Sequence, residues 1–170
     1  MMSLSRLLTA INKKMRRNTR KVFIMVALGL SMLTGCAINI ADHKSVPDTK
    51  LVLYEKFRGK SEITLDSLKG SPVIINFWGT WCPPCRAEMP DIQAFWEKRR
   101  DENLIIIGIN THDQEESARA FMHDIGITYP VAKDPSGNLA ADFKVLGFPA
   151  TFFVDRSGMI RNTWTGFMTP

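Results

Sequence analysis

Two cysteines separated by two prolines, Cys82-Pro83-Pro84-Cys85, lie between a compact apolar run at residues 73–78 and a stretch with helical spacing from residue 87 onward. That order confines the fold. The run Val-Ile-Ile-Asn-Phe-Trp is rich in β-branched side chains and bounded by Ser71-Pro72 and Gly79, so it suits a buried strand. Two Cys at this spacing close a disulfide with little backbone movement when they begin a helix. The first then lies among unpaired N–H groups at the positive end of the helix dipole, where thiolate is favoured. Thiolate is the species that attacks disulfides, so Cys82 is the expected nucleophile and Cys85, one turn inward, the expected resolving thiol. Pro83 and Pro84 cost little there, because the first N–H groups of a helix have no helical partner. A zinc half-site and a purely structural bridge are the alternatives. Zinc wants two further ligands; there is no second Cys-x-x-Cys, and His112 and His123 are eleven residues apart, so no metal is expected.

The rest of the pattern is that of an α/β domain. Strands are expected over 51–57 and 63–65, a helical turn over 65–68, and a helix over 87–100 with Met89, Ile92, Phe95 and Trp96 on its inner face and a kink at Pro90. Residues 104–109 read as a doubly covered central strand of a parallel sheet. A helix over 113–125 turns Ala118, Phe121, Met122 and Ile125 inward, with His123 in solvent. A short strand at 129–132, a turn at 134–137 and a short helix at 138–143 follow. Residues 150–154 and 159–165 form a hairpin around Asp155-Arg156-Ser157-Gly158. Trp78 is expected in the core.

Charge separates the first 35 residues from the rest. Seven of the 22 Lys and Arg and none of the 17 acids precede residue 36, so the remainder is mildly acidic and a nucleic-acid role loses its support. The basic cluster at 13–21 is followed by twelve uncharged residues, 22–33, too short to span a bilayer comfortably and laid out like a signal peptide. The run ends Leu33-Thr34-Gly35-Cys36, which resembles the lipobox of bacterial lipoproteins, a group in which the Cys is lipidated; an uncleaved signal anchor is the alternative. Both tether the chain on the extracytoplasmic side of a membrane. The expected organisation is a signal peptide over 1–35, a polar tether over 36–50 and a domain over 51–170. With Cys36 taken by lipid, Cys82 and Cys85 remain as a closed pair.

Residues 73–90, Val-Ile-Ile-Asn-Phe-Trp-Gly-Thr-Trp-Cys-Pro-Pro-Cys-Arg-Ala-Glu-Met-Pro, resemble the active-site segment of the TlpA/ResA-like thioredoxins, membrane-anchored reductases often tied to cytochrome c maturation. The resemblance runs from about residue 51 to 166 and implies a thioredoxin-like fold: a central mixed sheet flanked by helices, with an extra helix–strand block at roughly 111–142. Gly147-Phe148-Pro149-Ala150-Thr151 resembles that family's cis-proline loop, which implies Pro149 beside the Cys pair and the backbone of Phe148 pairing with an extended client segment. Asn76 stands where cytoplasmic thioredoxins carry a buried Asp and cannot titrate. Glu88 matches an acidic residue the exported group uses near its thiols, where a partly buried carboxylate of raised pKa can move protons. Trp81 is expected to cover the disulfide. Family members carry a final helix, and this sequence stops at residues 166–170, where it begins; either the sequence is a fragment or something else covers that sheet face, and a missing helix implies a stability loss of several kcal/mol, about that of two or three large side chains.

The resemblance implies a reductase of disulfides in exported proteins, apocytochrome c among them. No nicotinamide or flavin motif is present, so the Cys pair is the redox group, no cofactor is expected, and electrons come from a membrane dithiol donor. A disulfide oxidase or isomerase is the main alternative. A copper-binding chaperone on the same fold wants a wider Cys spacing and a distal His, and a peroxidase wants a lone reactive thiol.

Overall fold

The structure, a computed structural model, describes residues 44–168. The signal peptide expected over 1–35, the lipidation expected at Cys36 and the tether up to residue 43 lie outside the described residues.

The strands are β1 (Lys50–Phe57), β2 (Lys60–Thr64), β3 (Val73–Trp78), β4 (Ile105–Thr111), β5 (Val131–Asp134), β6 (Ala150–Val154) and β7 (Ile160–Thr165); the helices are α1 (Pro83–Arg99), α2 (Glu115–Asp124) and α3 (Asn138–Asp142). All seven strands form one mixed sheet in the order β2-β1-β5-β4-β3-β6-β7. β3, β4 and β5 are parallel, while β6 runs antiparallel to β3 and β7 to β6. Leu53↔Ala132 is the register pair joining β1 to β5.

The two central strands are apolar throughout because both their faces are covered. Ile75, Phe77, Ile107 and Ile109 point into one cluster with Leu51, Phe143 and Phe152. Trp78 and Ile106 point into the other, with Met89 and Trp96 of α1, Tyr129, Val131 and both active-site cysteines. The Cys pair therefore emerges at the carboxyl end of β3, seated on the second core layer. The extra block is present as α2, β5 and α3, with β5 inserted between β1 and β4.

Several boundaries differ from the sequence expectation. The inner stripe of α1 is Met89, Gln93 and Trp96, and Phe95 faces outward under the guanidinium of Arg99. Gln93 is buried because its amide group ties down the loop before β5, donating to Thr128 Oγ1 at 2.8 Å and accepting from the Thr128 N–H at 3.0 Å. α1 continues through Pro90, which is exposed, so the kink expected there does not end the helix. β5 begins at Val131 rather than Tyr129; the intervening Pro130 has no N–H and contributes its carbonyl alone, accepting from Gly108 at 3.0 Å. α2 begins at Glu115, because Asp113 is engaged elsewhere. Among the residues expected inward on α2, Ala118 is fully buried and Phe121, Met122 and Ile125 pack at its margin. The last part of the expected tether belongs to the domain: Val46 is buried, and Lys44 and Val46 exchange backbone bonds with Ile160 and Gly158 at 2.9 and 3.0 Å. Among the described residues no helix is long and apolar enough to cross a membrane.

Candidate active site

The sulfur of Cys82 caps α1. Cys82 has extended backbone angles, its carbonyl accepts from Arg86 at 3.1 Å, and its Sγ accepts the N–H of Cys85 at 3.3 Å. Pro83 and Pro84 occupy the first two helical positions, where no N–H is needed. The sulfur thus lies where helix dipole and backbone donors favour negative charge. Cys82 and Cys85 are joined in a disulfide with Cα atoms 5.3 Å apart. Both are almost wholly buried, Cys85 completely.

Around the pair the chain places three of the other expected residues. Phe148–Pro149 is a cis peptide bond. Phe148 packs against the cluster that contains the cysteines, and its ring meets Trp81 edge-on with centroids 5.1 Å apart. Trp81 is half exposed, while the disulfide beside it in sequence is buried. Its N–H is held by the carbonyl of Thr111 at 3.0 Å.

Glu88, one turn beyond Cys85 on α1, is only 1 % exposed. Burial pushes its carboxyl above the ordinary range, opposed by hydrogen bonds from the Met168 N–H to Oε2 at 3.1 Å and from Asn76 Nδ2 to Oε1 at 2.9 Å. Asn76 Nδ2 also donates to Thr151 Oγ1 at 3.0 Å. Among the described residues, three buried polar atoms have no hydrogen-bond partner: Asn76 Oδ1, Trp78 Nε1 and the Tyr129 hydroxyl. The Tyr129 phenol is driven well above its usual range, first by burial and then by the charge of Glu88. Among the described residues there is no group of His, Cys, Asp and Glu able to hold a metal ion.

Sequence reading missed the backbone that closes this site. The Gly166 N–H donates to the Pro149 carbonyl at 2.8 Å, and two residues later Met168 reaches Glu88, so residues 166–168 join the cis-proline loop to the buried carboxyl. It also missed Thr151. No local signal marks either, since backbone groups and a strand Thr carry no pattern of their own.

The arrangement can do thiol–disulfide exchange: a polarised sulfur at a helix start, a second sulfur behind it, a carboxyl of raised pKa one turn further, and an apolar rim. A family model described as AhpC/TSA family matches residues 43–163. The chain is 33 % identical to the thioredoxin-like protein YneN of Bacillus subtilis over 135 residues, 78 % of this chain and 76 % of that one. It is 27 % identical to the thiol-disulfide oxidoreductase ResA of Oceanobacillus iheyensis over 168 residues, 93 % of this chain and 88 % of its relative. The crystal structure of a secreted thiol-disulfide isomerase from Corynebacterium glutamicum superposes with a TM-score of 0.67 at 28 % identity, covering 76 % of this chain and 81 % of that one. The chain belongs to the AhpC/TSA family and, within the thioredoxin fold, to its ResA/TlpA-like thiol–disulfide oxidoreductases.

Proposed function

We propose that the protein is held outside the cytoplasm by lipid at Cys36 and reduces disulfides in exported proteins, the haem-binding Cys pairs of apocytochrome c among them. The observation that carries the reading is the buried carboxyl of Glu88 one turn behind Cys85, beside an Asn76 that cannot titrate. In the reductive direction the Cys82 thiolate attacks one sulfur of a client disulfide. That bond breaks, a mixed disulfide forms, and the released client thiolate takes a proton from water. Glu88 in its carboxylate form accepts the proton of Cys85. The Cys85 thiolate then attacks Cys82, the Cys82–Cys85 bond forms, and the second client thiolate leaves and is protonated. Two electrons pass to the client, and a membrane dithiol donor returns the pair to its reduced form. Trp81, Phe148 and Pro149 form the surface that meets the client chain. The lipobox-like Leu33-Thr34-Gly35-Cys36 and the relatives named ResA support this placement.

The test is trapping. A Cys85→Ala variant expressed in its own cells accumulates mixed disulfides through Cys82, and their partners name the clients; trapping that needs Cys85 instead reverses the assigned roles. A second reading, an oxidase or isomerase, is favoured by the likeness to the secreted thiol-disulfide isomerase of Corynebacterium glutamicum. A reduction potential above about −150 mV selects it over the reductase.

A further inference from the structure

The segment that delivers Cys82 is gripped from one side by the loop between β4 and α2. Asp113 takes both hydrogen-bond donors of Thr80: the N–H donates to Oδ2 and the hydroxyl to Oδ1, each at 2.7 Å. The next residue, Trp81, donates its indole N–H to the carbonyl of Thr111. Asp113 is itself held. Asn110 Nδ2 donates to Oδ2 at 2.9 Å and the Gln114 N–H to Oδ1 at 3.1 Å, while the Tyr54 hydroxyl donates to Asn110 Oδ1 at 2.8 Å. A carboxylate suits this place because it only accepts. The two residues before the nucleophile are thus fixed by two residues of one loop.

The loop is bent to make this possible. His112, between the two gripping residues, has φ of 53°, in the left-handed region that non-glycine residues seldom enter. Its N–H is bound by the Asp134 carbonyl at 3.1 Å, and its ring fills the space that a Cβ on Gly137 would need. On either side of this turn, the Thr111 carbonyl and the Asp113 carboxylate both face the Thr80–Trp81 segment. The strained turn is retained where it serves the segment that carries Cys82.

We propose that Asp113 is a positioning residue for exchange at Cys82: it fixes Thr80 and, through the loop it shares with Thr111, the Trp81 indole, so that an incoming disulfide meets the sulfur in a preset geometry. The attacking sulfur must lie in line with the bond it breaks, and small misplacements of a reacting group cost rate steeply. The inference rests on exchange at Cys82 and not on the direction of electron flow.

The experiment uses the full chain in its reduced form and a small symmetric aromatic disulfide whose cleavage releases a coloured thiolate. Second-order rate constants are compared for the wild type, Asp113→Ala, Thr80→Val and Asp155→Ala. Asp155 is a matched comparator: its carboxylate likewise accepts the N–H groups of Ser157 and Met159, at 2.8 and 3.0 Å, but in the turn at the far end of β6 from Pro149. Asp113→Ala lowers the rate about tenfold and Thr80→Val, which deletes one of the two bonds to Thr80, about threefold. Asp155→Ala lowers the thermal midpoint and leaves the rate unchanged. If Asp113→Ala alters the rate no more than Asp155→Ala, the proposal is overturned. Should Asp113→Ala not fold, Thr80→Val decides alone, and a wild-type rate overturns it. A wild type that cleaves the small disulfide but leaves client disulfides intact refutes the reductase reading while this comparison still stands.

Discussion

Glu88 is a carboxyl group enclosed beneath the redox pair, and its two hydrogen bonds do not fully offset the cost of removing its charge from water. Its pKa is therefore raised above the ordinary 4.5. A raised carboxyl binds its proton more tightly in the folded state than in the unfolded one. The stabilisation is complete below the unfolded value and is lost as pH rises through the folded value. Glu88→Gln keeps an acceptor for Asn76 and removes the titration. The thermal midpoint of the wild type should fall relative to this variant as pH rises above the ordinary carboxyl range; a difference that does not change with pH contradicts the assignment. At this scale the sequence was legible wherever a residue carried its chemistry in its neighbours. Cys82 and Cys85 are marked by their spacing, and Pro149 by the Gly-Phe-Pro-Ala-Thr loop. Asp113 was not legible: an Asp before a run of helix formers reads as the start of that helix, and nothing nearby reveals that its partner is Thr80, 33 residues earlier.

Among the elements, β3 and β4 were read correctly because a strand covered on both faces is apolar at every position, a pattern independent of its neighbours. The stripe on α1 was misread at Phe95 and Gln93, since hydrophobicity alone cannot show that a buried amide holds the Thr128 loop. The start of β5 was displaced for a similar reason: Tyr129 looks like strand and is fully buried, but Pro130 interrupts the ladder. β4 also carries a glycine packed against two buried rings. A Cβ at Gly108 would lie 3.0 Å from Trp78 Nε1 and 3.2 Å from Tyr129 Cε2, two rings with no room to retreat. Gly108→Ala should therefore destabilise the domain by about 1–3 kcal/mol, as overpacked cores do, read as a lower denaturant midpoint at unchanged slope. A neutral or stabilising effect would show that this layer has slack.

For the molecule as a whole, the mixed sheet and its inserted block followed from the order of the motifs, whereas the part that residues 44–50 play in the domain did not. Residues 44–50 are polar apart from Val46 and Pro47 and show no periodicity. Yet Val46 is 7 % exposed and its backbone is bonded to the turn between β6 and β7, tying the start of the domain to its last hairpin. Val46→Ala should cost about 1–2 kcal/mol by the burial it loses, and Val46→Asp more, in thermal or chemical unfolding.

The single register pair between β1 and β5 divides the sheet into regions of unequal permanence. The β1–β2 hairpin lies at the rim and meets β5 through that one pair, so its amides should exchange with deuterated solvent before those of the central strands, as pulse-labelling mass spectrometry would resolve. Tyr54, whose hydroxyl begins the chain of bonds through Asn110 and Asp113 to Thr80, rides on that hairpin. An opening at this rim would unfasten the far end of the support for the reactive sulfur, so the hold on the thiol reaches out to the edge of the sheet.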